Sequence, residues 1–179
     1  MAAFNSDVSD EGPLDWIILR DGGIFLYWRS ELLADDLSWL KQNGYQIVSF
    51  STGEWRSEYE MHESLQEALT FPDYYGRNLD ALNECVWDDM VVPDAGGLVI
   101  VFRGYDRFAK VLGKRATDQK STAEIVLDIF ARAVRYHMLY GRRLIILVQS
   151  GDPDIRFGPV GGQPPRWNQR EWFNKDRGV

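Results

Sequence analysis

Residues 71–85 read FPDYYGRNLDALNEC, and this stretch decides how the rest of the chain is interpreted. Its proline disfavours helical geometry in the preceding residue, so a helix that runs up to Phe71 has to stop there. Asn78 is of a residue type that commonly caps helix N-termini. The apolar residues behind it recur at helical spacing and favour a helix from Leu79 to about Met90. The sequence therefore predicts two helices joined by a short polar loop.

The other side of this second helix carries a row of like charges. Asp80, Glu84 and Asp88 stand at positions i, i+4 and i+8, a spacing at which like charges destabilise a helix by about 0.2–0.5 kcal/mol per pair. Residues 80–94 hold five acidic residues and no Lys or Arg. A partner that supplies the positive charges is one interpretation. A merely solvated face is the other, since net-acidic chains such as this one, with a net charge of −7, are common.

Two tyrosines and a glycine precede the acidic helix. A Tyr side chain offers a large and fairly rigid contact area with a polar end, which makes it frequent in binding hot spots. Gly76 permits a tight turn or a close backbone approach. For Tyr74 and for Tyr75 separately, the sequence leaves open whether the ring contacts a partner or packs within the protein.

The segments around this stretch predict an α/β fold. A capping box begins at Ser57 and opens the first helix, with Ser57 and Glu60 each expected to satisfy the other's free amide. Runs 98–102 and 144–148 are continuously apolar, which is typical of parallel strands covered on both faces. A third strand is predicted at 47–50. The helices that such a sheet needs as crossovers are expected near Asp106–Leu112 and near Thr122–Leu139.

The two ends of the chain predict additions to this unit. Residues 1–14 are small, polar and acidic, and we expect a disordered lead-in. Two apolar runs, 16–19 and 24–28, flank Asp21-Gly22-Gly23 and predict a β-hairpin, followed by a helix from Ser30 to Lys41. After Ser150 we expect an extended tail whose aromatic residues pack onto the body. These aromatic residues are Trp167, Trp172 and Phe173.

Several functional classes are disfavoured. No apolar run is long enough to cross a bilayer, and we expect neither a secretory signal nor a membrane partner. A single cysteine, Cys85, fits a reducing cytoplasm. There is no zinc motif, phosphate-binding loop or nucleophile elbow, and His62 and His137 are expected to be surface or packing residues. We therefore predict that the protein is no enzyme, holds no metal or cofactor, and does not bind nucleic acid through its acidic face.

The run Tyr74–Leu82, YYGRNLDAL, resembles the central motif of the barstar family of ribonuclease inhibitors. The resemblance implies a three-stranded parallel sheet flanked by helices over residues 46–150, with 1–45 and 151–179 as extensions. It also implies that the acidic helix and the loop before it block the active site of a basic, barnase-like or toxin-borne ribonuclease. The protein is expected to be monomeric before it binds.

By position, the resemblance places the loop and the acidic helix against the enzyme, with a peripheral contact from Ile129. The predicted partner-binding residues are Tyr74, Tyr75, Gly76, Asn78, Asp80, Asn83, Glu84, Trp87, Asp88 and Ile129. Three positions depart from the family pattern. Glu84 is one methylene longer than the usual aspartate, Asn83 stands where tryptophan is frequent, and Arg132 falls where an acidic contact is expected.

The alternative function is a non-inhibitory interaction module on the same fold. Its contact surface would combine the basic stretch 103–120, with six basic and two acidic residues, and the aromatic residues of the tail.

Overall fold

The computed structural model describes residues 12–112 and 120–172 of the protein. Two helices in a row follow the second strand and again the third, and a 3₁₀ turn, Thr52–Glu54, directly follows the second strand. The helices are α1 (Leu14–Arg20), α2 (Ser30–Gln42), α3 (Glu58–Leu69), α4 (Leu79–Asp88), α5 (Tyr105–Val111), α6 (Thr122–Leu139) and α7 (Gln169–Trp172). The strands are β1 (Ile24–Tyr27), β2 (Tyr45–Phe50), β3 (Gly97–Arg103), β4 (Leu144–Gln149) and β5 (Arg166–Trp167).

The strands form one sheet in the order β2-β3-β4-β1-β5, and every neighbouring pair is parallel. β3 and β4 are almost wholly buried, as their continuously apolar sequences predicted. The sheet has five strands among the described residues, so the expectation of three was wrong. β1 adds to β4 and β5 adds to β1, which extends the sheet on one side only.

The helices cover the two faces of this sheet. Connections between parallel strands are right-handed. The strands β2, β3 and β4 lie side by side in chain order, so both connections between them pass over the same face of the sheet. The helices α3 to α6 therefore lie on that face. The connection from β1 back to β2 runs the other way, so α2 lies on the opposite face, where it contacts β1, β2 and β4. α4 packs against α6, and α6 packs against β4. The acidic helix is therefore an outer element that rests on a buried helix.

The predicted N-terminal hairpin is wrong. Residues 16–19 belong to α1, and β1 pairs with β4, to which Gly23 is joined by a 2.8 Å bond from Ile146 N to its carbonyl oxygen. The positive φ expected at Gly22 and Gly23 is present, at 100° and 78°, but the turn links a helix to a strand. Asp15 fixes α1 by accepting a 2.6 Å hydrogen bond from the Tyr45 hydroxyl.

The lead-in predicted for residues 1–14 is wrong at Leu14 and stays a prediction for residues 1–11. Residues 1–11 lie outside the described residues, whereas Leu14 already begins α1. None of the helices within residues 12–112 and 120–172 combines the length and hydropathy that a membrane-spanning segment requires.

The helices of the central region follow the sequence closely. α6 has the predicted bounds, and the Asn78 side chain caps α4 as expected. The capping box of α3 is only half formed. Ser57 accepts the amide of Glu60 at 3.2 Å, but the Glu60 carboxylate turns to the amide of Arg56 at 2.7 Å.

The C-terminal segment is tied down by hydrogen bonds as well as by aromatic packing. Trp167 lies in β5 and packs partly against the core, as predicted. Trp172 is 66% exposed, so its predicted packing is wrong, and Phe173 lies outside the described residues. The buried Glu171 carboxylate, which the sequence did not single out, accepts the amides of Trp28 and Arg29, each at 3.0 Å.

Candidate protein-binding surface

Helix α4 starts where the sequence predicted because Asn78 satisfies one of its free amides. The Asn78 side-chain oxygen accepts the amide of Ala81 at 2.9 Å. Leu82, Cys85 and Val86 are buried and hold the helix on the protein body. The other face of the helix is thereby turned to solvent.

The solvent face of α4 carries the acidic row. Asp80, Glu84 and Asp88 are exposed, and residues three or four apart lie on the same side of a helix. Throughout the described parts of the chain, no Lys or Arg lies within ion-pair distance of these three carboxylates. Asn83 and Trp87 are half-buried on the same face. The row thus lacks counter-ions from the described residues.

The loop before α4 presents one tyrosine. Tyr74 is 74% exposed, and its hydroxyl donates a 2.7 Å hydrogen bond to Asp89 Oδ1. This hydrogen bond to a carboxylate is the main reason why the pKa of Tyr74 is raised. The ring is therefore held against the flank of α4 while most of its surface stays accessible.

Tyr75 is placed differently from its neighbour. It is only 5% exposed, packs on Phe71 and forms a short hydrogen bond with His62 Nδ1. Burial raises its pKa far above the ordinary value. Of the two interpretations left open by the sequence, core packing describes Tyr75 and surface exposure describes Tyr74. Tyr75 does not lie on the accessible surface that was predicted for it.

The rest of the loop is held in place by Arg77, which the sequence did not single out. Arg77 has a positive φ of 47°, a conformation that non-glycine residues rarely adopt. Its guanidinium donates to the Tyr59 hydroxyl at 2.8 Å and to Gln66 Oε1 at 3.1 Å, both on α3. These contacts fix the exposed residues Gly76 and Asn78 on either side of it.

The two predicted features of α6 turn out differently. Ile129 is buried, with 6% exposure, so it is not the accessible contact that was expected. Arg132 is exposed, and its charge is paired with Asp128 at 2.8 Å. An ion pair within α6 thus offsets part of the charge reversal noted at this position.

Sequence reasoning missed two aromatic residues beside the acidic row. Tyr136 stacks on Trp87, with ring centroids 4.8 Å apart, and Tyr140 packs against Tyr136 at 5.1 Å. Their i, i+4 spacing on a correctly predicted helix was the available signal. What the sequence could not show is that α6 crosses α4 at Trp87.

Both histidines are packing residues, as expected. His62 and His137 are buried, and His137 Nε2 bonds the carbonyl oxygen of Val86 at 2.9 Å. Burial lowers the pKa of each ring. Within the described chain, no three His, Cys, Asp or Glu side chains converge to hold a metal ion.

Comparison with known proteins identifies the family. The sequence model described as Barstar (barnase inhibitor) matches residues 45–149, which is more than half of the 179 residues. The chain belongs to the barstar family. The matched segment runs from β2 to β4 and contains α4 and its preceding loop, whereas β1 and β5 lie outside it.

One curated relative is similar over part of its length. It is named "Putative ribonuclease inhibitor YrdF", from Bacillus subtilis (strain 168), and is 40% identical over 58 residues. The aligned region covers 32% of this chain and 59% of the relative, so the chain spans about three fifths of that protein's length.

Proposed function

We propose that this protein inhibits a basic ribonuclease by covering the enzyme's active site with α4 and the loop before it. The observation that carries the proposal is the exposed row of Asp80, Glu84 and Asp88, which has no counter-ion among the described residues. Membership of the barstar family and the printed name of the Bacillus relative support the same function.

The chemistry of the two surfaces is complementary. A ribonuclease binds the phosphates of RNA with Lys, Arg and His side chains, and carboxylates are the protein groups that pair best with those cations. A rigid row of carboxylates can therefore occupy the positions of successive phosphates. Opposite charges also steer the two proteins together and raise their association rate, as they do for the barnase–barstar pair.

The loop supplies the uncharged part of the proposed contact. Tyr74 contributes an exposed ring, and Gly76 lets a partner approach the backbone because it has no side chain. Arg77 fixes the loop conformation before binding, which lowers the entropy that association costs. Asn78 connects the loop to the first turn of the helix.

The decisive experiment titrates nuclease activity. The assay measures cleavage of a fluorogenic RNA substrate with increasing amounts of the full chain. The enzymes tested are barnase and any small basic ribonuclease whose gene lies next to the gene of this protein. We expect cleavage to fall to zero at one equivalent. Asp80→Asn and Glu84→Gln should each weaken inhibition at least tenfold, because each leaves a basic group of the enzyme without its partner.

Glu31→Gln is the matched control, since Glu31 is an exposed acid on α2. It should inhibit like the unchanged protein. Association should also slow as salt rises, because charges are screened over about 8–10 Å near physiological ionic strength. Cleavage unaffected by excess protein for every such nuclease would overturn the proposal and favour a non-inhibitory interaction module.

The cellular setting belongs to the same proposal. An intracellular inhibitor protects its own cell from the nuclease, and the free, buried thiol of Cys85 is compatible with a reducing cytoplasm. A cytoplasmic location, a monomeric state before binding and the boundaries at residues 45 and 150 stay predictions.

A further inference from the structure

The solvent face of α4 continues onto α6 through a stack of aromatic rings. Trp87 and Tyr136 are nearly parallel, with an interplanar angle of 24°, and Tyr136 packs on Tyr140. Tyr140 is 65% exposed. We call Trp87, Tyr136 and Tyr140 the aromatic shelf. It lies where the acidic row ends, because Trp87 and Asp88 are neighbours on the last turn of α4.

Carboxylates border the aromatic shelf. A hydrogen bond with Tyr140, then burial and the carboxylate of Asp88, raise the pKa of Tyr136, which places Asp88 beside its ring. Asp88 also lines a cleft of about 340 Å³, whose walls are formed by residues 88–94 and Arg142. Arg142 pairs with Asp94 at 3.3 Å, so the charge on this side of the cleft is already compensated. Asp88 has no cation at ion-pair distance within the described residues.

Stability alone does not account for this arrangement. The C-terminal end of α6 exposes Leu139 by 85% and Tyr140 by 65%, at a place where Lys or Arg would interact better with the helix dipole. The Trp87 indole N–H is buried and finds no acceptor in the described part of the chain. Exposed aromatic rings are instead typical of a protein interface.

We propose that the aromatic shelf and Asp88 together receive an arginine side chain of the protein partner. The inference rests on the proposed function, since the partner is the same basic ribonuclease, and it adds a second contact to the acidic row. A guanidinium is planar, stacks on Tyr and Trp rings and pairs with a carboxylate at its edge. Asp88 belongs to both surfaces, so one docked enzyme can reach them together.

A small-molecule titration tests the surface without any nuclease. The probe is N-acetyl-arginine amide, and N-acetyl-citrulline amide is the uncharged control of the same shape. We expect a saturable shift of the Trp87 indole N–H resonance with the arginine compound and a much smaller one with citrulline. The shift should weaken in Tyr140→Ala and persist in Trp172→Ala, a matched variant because Trp172 is 66% exposed on α7. Equal shifts with both compounds, or none, would overturn the inference.

The nuclease assay then separates the two proposals. Tyr140→Ala should weaken inhibition about fivefold or more, while Trp172→Ala should leave it unchanged. Full inhibition by Tyr140→Ala would overturn the second contact and leave the acidic row as the inhibitory surface. Binding of the arginine compound without inhibition of any ribonuclease would instead overturn the proposed function, and the aromatic shelf would then serve another arginine-bearing protein.

Discussion

Tyr74 and Asp89 join the two ends of the candidate surface, since the Tyr74 hydroxyl in the loop before α4 donates a 2.7 Å hydrogen bond to Asp89, the residue that ends the helix. The bond runs along the flank of α4, so the position of the exposed ring depends on a residue 15 positions later in the chain. The loop and the helix are therefore one preformed surface.

Removal of this bond should affect binding more than stability. Tyr74→Phe keeps the ring but loses the donor, and a substitution at so exposed a side chain usually changes the free energy of unfolding by no more than about 0.5 kcal/mol. Inhibition of the target ribonuclease should weaken about threefold to tenfold, because the freed ring has to be ordered on binding. Asp89→Asn retains an acceptor and should have a smaller effect. Urea unfolding and inhibition titrations measure both quantities, and unchanged inhibition by Tyr74→Phe would contradict the role given to the bond.

The acidic row should lower the free energy of unfolding of the free protein while it strengthens binding to the ribonuclease. Glu84→Lys replaces two like-charge pairs, with Asp80 and with Asp88, by two attractive ones at the same spacing. We expect the free energy of unfolding to rise by roughly 0.8–2 kcal/mol and inhibition to be lost. Glu84→Gln is the control and should give a smaller gain in stability. If Glu84→Lys destabilises the protein in urea, the side chain is already paired in solution and the row is not uncompensated.

The sequence predicted best what depends on local patterns. The bounds of α6 and the cap at Asn78 were correct because spacing of apolar residues and capping chemistry act within a few positions. The strand predicted for residues 16–19 was wrong because four consecutive apolar residues fit a strand or a buried helix equally well. The helix is held instead by distant contacts, such as the hydrogen bond between Asp15 and Tyr45 and the burial of Ile18 and Leu19 in the core.

The same distinction applies to the candidate site. Tyr74 and Tyr75 are adjacent and identical in type, but contacts with Phe71 and with His62, 13 positions earlier, hold the Tyr75 ring inside the protein. The aromatic shelf likewise depends on the crossing of α4 and α6, which no local pattern contains. The charge of the surface was readable from the sequence, but its extent was not.

The two buried histidines make stability depend on pH. Burial lowers the pKa of His62 and of His137 below the ordinary value of 6.5, so the unfolded chain takes up protons at a higher pH than the folded protein does. The free energy of unfolding is therefore constant above neutral pH with respect to these groups, and it falls as the pH drops below about 6.5. His62→Gln should reduce this fall because glutamine does not titrate, and its side-chain oxygen can still accept a hydrogen bond from Tyr75. Urea titrations between pH 7.5 and 6.0 measure this pH dependence of the free energy of unfolding. The same dependence in both His62→Gln and His137→Gln would contradict the role given to the two histidines.

The single cysteine should be unreactive in the native protein. Cys85 is 2% exposed, and burial is the main cause that raises its pKa to about 12, so almost no thiolate exists near neutral pH. Iodoacetamide at pH 8 should leave the folded protein unmodified over hours and label it within minutes in urea. Mass spectrometry reports the labelled fraction, and rapid native labelling would mean that the packing of α4 opens readily.

The last prediction concerns the two strands outside the matched segment, β1 and β5. Glu171 is buried and accepts the amides of Trp28 and Arg29, so it fastens the C-terminal segment to the end of β1. Glu171→Ala leaves two amides without an acceptor and should lower the free energy of unfolding by about 2–4 kcal/mol. Trp172→Ala, one residue later and exposed, should change it by less than about 0.5 kcal/mol. Inhibition at a temperature where both variants are folded should equal that of the unchanged protein, because α4 belongs to the matched segment and β5 does not. A loss of inhibition in folded Glu171→Ala would instead mean that the added strands help to shape the binding surface.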